Sequence, residues 1–355
     1  MVMTLEEVRD RARRLLGPDC RVCRECNGVA CAGQVPGMGG IGTGRSFINN
    51  YRALASWQLK LRCLHAVSEP APATEVLGIP LALPVMGAPV AGAVVNFRGI
   101  ISEDELAGSF AEGCVATGTV TLAGDGPAAE TFAASLNAAR RYPGRVIVIA
   151  KPLPEEVVRD RLLRAVEAGA AAVGVDVDAA GILMMRRAGE RVGPMPAVEL
   201  ARLVESVGVP FVAKGIMTPD EAELAAGAGC AAIVVSNHGG RVLDDTPGTA
   251  DVLPAVARAV KGRLAVLVDG GIRTGGDVLK CLALGADAVL VGRPLAIAAI
   301  GGRGEGVRLA LERFRDELLT AMVMTGCPSP SRAGRHLVYI GSSGVAMSRK
   351  RCAPR

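Results

Sequence analysis

From Leu81 to Val291 the chain repeats one pattern: a short run apolar at nearly every position, a polar or glycine turn, then a stretch with apolar residues at helical spacing. The runs are Leu81–Met86, Cys114–Val120, Arg145–Ala150, Ala171–Asp176, Val209–Lys214, Ala231–Ser236, Leu264–Asp269 and Ala286–Val291. Runs without polar alternation suit strands covered on both faces, as in a parallel sheet. The intervening pattern predicts helices over Ser102–Glu112, Glu155–Ala168, Ala197–Val207, Pro219–Ala228, Thr249–Val260 and Gly276–Leu284. Ser102 with Glu105 forms a capping-box pair, and Thr218-Pro219 places proline at a first helical position after a cap. Strand, loop and helix recurring eight times predict an α/β fold, a (β/α)8 TIM barrel, over an open doubly wound sheet, which usually has fewer strands. Residues 1–40 read as an N-terminal helix and a Cys-rich arm, and 41–355 as the barrel.

Composition narrows this further. The 355 residues would suggest two or three domains at ~150 residues each, but the eightfold pattern makes one barrel of most of them. Half the residues are hydrophobic and 3% are aromatic, so the core is aliphatic and a nucleic-acid platform built on stacked rings is excluded. The net charge of +5 is mild, and the basic run Ser348-Arg349-Lys350-Arg351 reads as a solvated terminus. Met1 to Leu16 alternates charges with Leu5, Val8, Ala12, Leu15 and Leu16, which predicts an amphipathic helix and not a signal peptide. Gly285 to Gly302 comes nearest to a membrane span but is broken by Asp287 and Arg293, so no span is expected and the protein is placed in the cytoplasm. Thiols stay reduced there, so clustered cysteines point to metal or redox chemistry before disulfides.

Barrel chemistry sits in loops at the strands' C-terminal ends. After the seventh strand comes Asp269-Gly270-Gly271-Ile272-Arg273, and after the eighth Gly292-Arg293-Pro294. Glycines let backbone amides approach an anion and arginines add forked contacts, so these two loops predict a phosphate cradle. After the sixth strand comes Ser236-Asn237-His238-Gly239-Gly240-Arg241. His238 suits a general base, and Arg241 suits a carboxylate clamp. His65 and His336 have no such context.

Ser-Asn-His-Gly-Gly-Arg at 236–241, followed by Asp-Gly-Gly-Ile-Arg-Thr-Gly-Gly-Asp-Val from 269 and Gly-Arg-Pro at 292–294, resembles the FMN-dependent α-hydroxy-acid oxidase and dehydrogenase family, which includes glycolate and lactate oxidases. The resemblance runs from about Gly39 to Gly326, and Asn50-Tyr51-Arg52 looks like the family's lead into the barrel. It implies His238 as catalytic base, Arg241 on the substrate carboxylate, Asp176 as the carboxylate that orients His238, and Lys214 at the flavin's N1–O2 edge. It implies that Ser236, Asp269, Gly271, Arg273, Gly292 and Arg293 hold FMN, with Gly87, Ala88 and Thr119 beside the ring. The reaction implied is oxidation of a hydroxy acid to a 2-oxo acid, in a homo-oligomer of four subunits or more. The family's two substrate tyrosines are absent: Pro36-Gly37-Met38-Gly39-Gly40 and Ile149-Ala150-Lys151 stand in their regions. The second substrate arginine is missing near Ile182-Leu183, and Lys151 is taken as a substitute substrate contact.

Cys20, Cys23, Cys26 and Cys31 form C-x2-C-x2-C-x4-C. The run resembles a ferredoxin-type iron–sulfur motif with a different last gap, and a zinc site made of four cysteines has the same first spacing. A cluster there would pass electrons from FMN to an external acceptor and make the enzyme a dehydrogenase. Two other functions fit the same cradle. One is an FMN-dependent isomerase of the isopentenyl-diphosphate type, against which the His-Gly-Gly-Arg loop argues. The other is a catalytically silent flavin-binding barrel, which the absent tyrosines allow.

Overall fold

The computed structural model describes residues 3–341; the basic run at 348–351 lies outside them. Eight parallel strands close into a barrel: β1 Val85–Gly87, β2 Thr121–Ala123, β3 Val146–Ala150, β4 Ala172–Asp176, β5 Phe211–Ile216, β6 Ala232–Val235, β7 Ala265–Val268 and β8 Ala288–Val291, with β8 pairing back on β1. The apolar runs conceal an alternation. Ile147 and Ile149 of β3 point into the barrel with Met86, Leu122, Val212 and Leu267, while Val146, Val148 and Ala150 face the helix layer. Both faces are buried, so both sets are apolar and the period of two disappears from the sequence.

Two strand expectations are corrected. Cys114 to Ala116 belongs to helix Glu103–Ala116, which Gly118 ends at φ 73, and β2 begins only at Thr121. The helix buries Leu106, Phe110 and Cys114, so its C-terminal turn is as apolar as a strand. Leu81 belongs to a separate antiparallel pair, Thr74–Val76 with Ile79–Leu81, whose Val76 and Leu81 join the barrel's inner core. The Ser102 and Thr218 caps form as expected. Helices Ala197–Val207 and Thr249–Val260 match their predicted bounds.

Beyond the repeat, helix Arg293–Thr325, bent at Arg303, was not anticipated as one element. Helix Leu5–Leu16, capped by Thr4, lays Val8, Ala12 and Leu16 against it. A Cβ on Gly301 would come within 2.0 Å of the Val8 carbonyl, so a glycine there is what lets the two helices touch. Helix Arg45–Ser56 covers the barrel's mouth: Asn50 and Asn237 exchange amide hydrogen bonds of 2.7 and 3.1 Å, and Thr249 N donates to Asn50 Oδ1. That exchange ties the loop carrying His238 to the segment before the barrel. None of the described helices is long and apolar enough to cross a membrane.

Candidate active site

The C-terminal ends of β3, β4 and β5 meet in a buried charge cluster. Asp176, 1% exposed, accepts from Lys151 Nζ on one oxygen and Lys214 Nζ on the other, both at 2.6 Å. Burial opposes its charge, but the two ammonium groups outweigh that and hold its carboxyl far below the usual range. Lys214 is buried too, yet Asp176, Asp178 and Asp269 push its pKa up, so it stays cationic at neutral pH.

His238 stands over this cluster with its backbone at φ 56, a conformation uncommon for a non-glycine residue and frequent at working sites. Its amide donates to Ser236 Oγ at 3.0 Å. The side-chain partner differs from expectation. His238 Nδ1 lies 2.9 Å from Asp178 Oδ1 and 3.7 Å from Asp176 Oδ1. Asp178 is therefore the direct partner, because the two lysines already occupy Asp176. Asp178 sits on the single turn Val177–Gly181 after β4, and the missed signal was the Asp-Val-Asp spacing. Gly215 makes the approach feasible: it occupies an irregularity in the pairing of β5 with β6, at φ 106, and a Cβ there would fall 2.5 Å from Asp178 Cβ.

The loop after β7 is shaped by Gly270 and Gly271, at φ 92 and 81; a Cβ on Gly271 would come within 2.3 Å of the Asn50 carbonyl. Asp269 is buried, which pushes its carboxyl pKa up, and its Oδ2 accepts from Ser236 Oγ at 2.9 Å while Oδ1 is buried without a partner. Three arginines surround the loop, and every hydrogen bond their guanidinium groups make goes to a backbone carbonyl, an amide oxygen or a thiol. Arg293 donates to the Met38, Gly39 and Gly239 carbonyls. Arg273 donates to the Cys26 and Ile272 carbonyls and to Cys26 Sγ. Arg241 donates to Gly37, Gly39 and Asn96. Burial depresses Arg241 to about 10; burial and then Arg241's repulsion depress Arg293 to about 9, so both stay charged at neutral pH. Half-buried guanidinium groups without an anion, an orphaned buried carboxylate oxygen and a glycine-lined approach together fit a phosphorylated, polyhydroxylated cofactor such as FMN. Gly271→Ala should force helix Arg45–Ser56 off the loop and lower FMN retention at least tenfold on gel filtration; full retention would show that the loop tolerates the clash.

One cavity gathers most of the predicted residues. Ala88, Lys151, Lys214, His238 and Arg241 line it, as do Asp269, Gly271, Arg273, Gly292 and Arg293. Four others do not reach its wall. Thr119 precedes β2 and buries its hydroxyl on the Val85 carbonyl at 2.6 Å, so its assignment beside the flavin ring is corrected; the slip came from placing β2 too early. Gly87 packs beneath the mouth, where a Cβ would meet Thr121 Oγ1 at 2.2 Å. Asp176 and Ser236 lie one layer down and hold the lysines, Asp269 and the His238 backbone. The sequence reading missed Asn96, Asp125, Met184 and Met185 on the wall. Asp125 was hidden by the same misplacement of β2. The four arm cysteines line a second cavity, which shares Met38 and Arg293 with the first.

The family described as FMN-dependent dehydrogenase matches residues 37–196 and 186–340. The chain is 41% identical to L-lactate oxidase of Lactobacillus jensenii over 144 residues, 41% of this chain and 35% of that protein. It is 47% identical to 2-hydroxyacid oxidase 2 of Bos taurus over 131 residues, 37% of each chain. These alignments thus span little more than a third of either relative. A solved mandelate oxidase with 3,3-difluoro-2-hydroxy-3-phenylpropionic acid superposes with a TM-score of 0.78 at 32% identity, over 95% of this chain and 99% of that one.

Proposed function

Because the chain belongs to the FMN-dependent dehydrogenase family, we propose that it oxidises an α-hydroxy acid to the 2-oxo acid with FMN as the first electron acceptor. One observation carries the reading: His238, held by Asp178, shares a single cavity with Lys214, Arg241 and the cradle of Asp269, Gly271, Arg273, Gly292 and Arg293.

FMN, when bound, supplies the site that takes two electrons from the substrate carbon. The chain's residues do the rest. Asp269 Oδ1, the glycine amides and the arginines hold the ribityl and phosphate groups. Lys214, cationic at neutral pH, places positive charge where the reduced ring becomes negative. The spare donors of Arg241 hold the substrate carboxylate, and Lys151 adds a second positive group. As C–OH becomes C=O, the substrate loses two electrons and two protons; one proton goes to His238, and the electrons leave together with the other for bound FMN. Asp178 on Nδ1 leaves Nε2 of His238 to take a proton, and stabilises the imidazolium that results. Val95, Phe97, Ile182, Met184 and Met185 line the cavity, and no tyrosine does, so the substrate favoured is a hydroxy acid with an apolar side chain larger than a methyl group.

We also read the electron outlet as a metal centre on Cys20, Cys23, Cys26 and Cys31 that delivers two single electrons to an external one-electron acceptor, in a cytoplasmic homo-oligomer of four subunits or more. Asp178→Asn tests the base assignment. It should keep FMN and slow anaerobic flavin reduction about 10- to 100-fold, read by stopped-flow absorbance, in line with losing the group that orients a general base. An unchanged rate would show that Asp178 only packs against the ring. Turnover with ferricyanide should exceed turnover with oxygen; the reverse would reject the metal outlet.

A further inference from the structure

The flavin site leaves one constellation unused. Of the nine described cysteines, Cys114, Cys230, Cys281 and Cys327 are buried and Cys63 is exposed on its own. Cys20, Cys23, Cys26 and Cys31 are half-buried, and all four line one cavity in the arm. We infer that these four thiols ligate one iron–sulfur cluster of the four-iron class, seated against the arginine side of the flavin cradle. This deepens the outlet reading and rests on it only for where the electrons go; the ligand set stands on the thiols alone.

A single zinc ion and a cluster ask different things of the four thiols. A tetrahedral zinc tetrathiolate, with Zn–S bonds of about 2.3 Å, holds its sulfurs roughly 3.8 Å apart. Among the described residues, the one trio of His, Cys, Asp or Glu whose ligand atoms all lie within 4.8 Å of one another is Asp176, Asp178 and His238. The arm cysteines form no such trio among the described residues, yet all four line one cavity. Four half-buried thiols lining one cavity match the four-cysteine ligand set of an iron–sulfur core. The trio itself is no rival site, because the two lysine ammoniums fill Asp176.

The surroundings suit sulfur ligands that carry negative charge. The Val22 amide donates to Cys20 Sγ at 3.4 Å, and Arg273 Nη2 reaches Cys26 Sγ at 3.6 Å; such N–H···S contacts are among the groups that tune cluster potentials. Val22 holds that amide in place at φ 45, a costly conformation for a β-branched residue. Arg9 and Arg13 donate to the Cys23 and Val22 carbonyls and pin the loop to helix Leu5–Leu16. Four thiolates around an oxidised four-iron core carry a net charge of about −2. Arg273 and Arg293 lie alongside without a carboxylate partner, and Arg293 with Met38 lines both cavities. Cluster and flavin would thus be separated by a single layer of side chains.

The test uses the full chain, purified and reconstituted anaerobically, with FMN, iron, zinc and acid-labile sulfide each counted per chain. About four iron and four sulfide are expected. Cys26→Ser should lose more than tenfold of the iron while keeping FMN. One zinc without iron, two iron with two sulfide, or a chain left metal-free after reconstitution overturns the inference, as does a Cys26→Ser variant that keeps its iron. Should Cys26→Ser fail to fold, Cys23→Ser and the stoichiometry of the unaltered chain decide. A chain holding four iron and four sulfide whose flavin no hydroxy acid reduces would sink the proposed function and leave the cluster standing.

Discussion

Replacing His238 with alanine is expected to slow flavin reduction by a hydroxy acid by about 10²- to 10⁴-fold or more, the range for loss of a positioned acid–base group. FMN content should not change, because His238 lies on a different loop from the Gly270-Gly271 cradle and its imidazole is bonded to Asp178. The measurement is anaerobic stopped-flow at the flavin band, with FMN quantified in the same sample. Rapid bleaching by the variant would remove His238 from the mechanism. Loss of FMN with the activity would instead make it a residue that holds the cradle.

Asp176→Asn should give the largest stability loss in the barrel. The change keeps the shape but leaves the ammonium groups of Lys151 and Lys214, both nearly inaccessible, without their shared counter-charge. Removing one partner from a buried ion pair costs about 3–5 kcal/mol, because the remaining charge stays desolvated. Urea denaturation should show a loss of that size, whereas Asp104→Asn, which breaks the exposed pair with Arg141, should barely move the midpoint. An equally small effect at Asp176 would mean that the lysines relax to water or lose their protons. The pH dependence follows from the same charges. The Asp176 carboxyl is depressed in the folded state, so its contribution is fully present above the ordinary carboxylate pKa of about 4. It drains away progressively as acid carries the pH from there down to the folded value.

The barrel was legible in the sequence because each of its strands is buried on both faces, which leaves runs that nothing but a parallel core explains. Where an amphipathic signal was needed to tell helix from strand, the reading slipped: Cys114 to Ala116 is a helical turn, apolar enough in sequence to pass for β2. That slip misassigned Thr119 and hid Asp125. The site residues fixed by loop chemistry, His238 and the arginines and glycines after β7 and β8, do gather in one cavity. The partner of His238 was harder to see. Choosing Asp178 over Asp176 requires knowing that Lys151 and Lys214 converge on Asp176 from β3 and β5, a contact between strands that no local pattern carries. Likewise, the arm's hold on Arg241, Arg273 and Arg293 through the Gly37, Met38, Gly39 and Cys26 carbonyls joins segments more than 200 residues apart.

The most direct test of the central claim is the flavin absorbance of the FMN-loaded chain, mixed anaerobically with a panel of α-hydroxy acids running from glycolate and lactate to larger apolar side chains. The account predicts bleaching by at least one member, fastest with a bulky apolar side chain, and release of the matching 2-oxo acid in equal amount to the flavin reduced. A chain that binds FMN stoichiometrically and is bleached by none of them would contradict it.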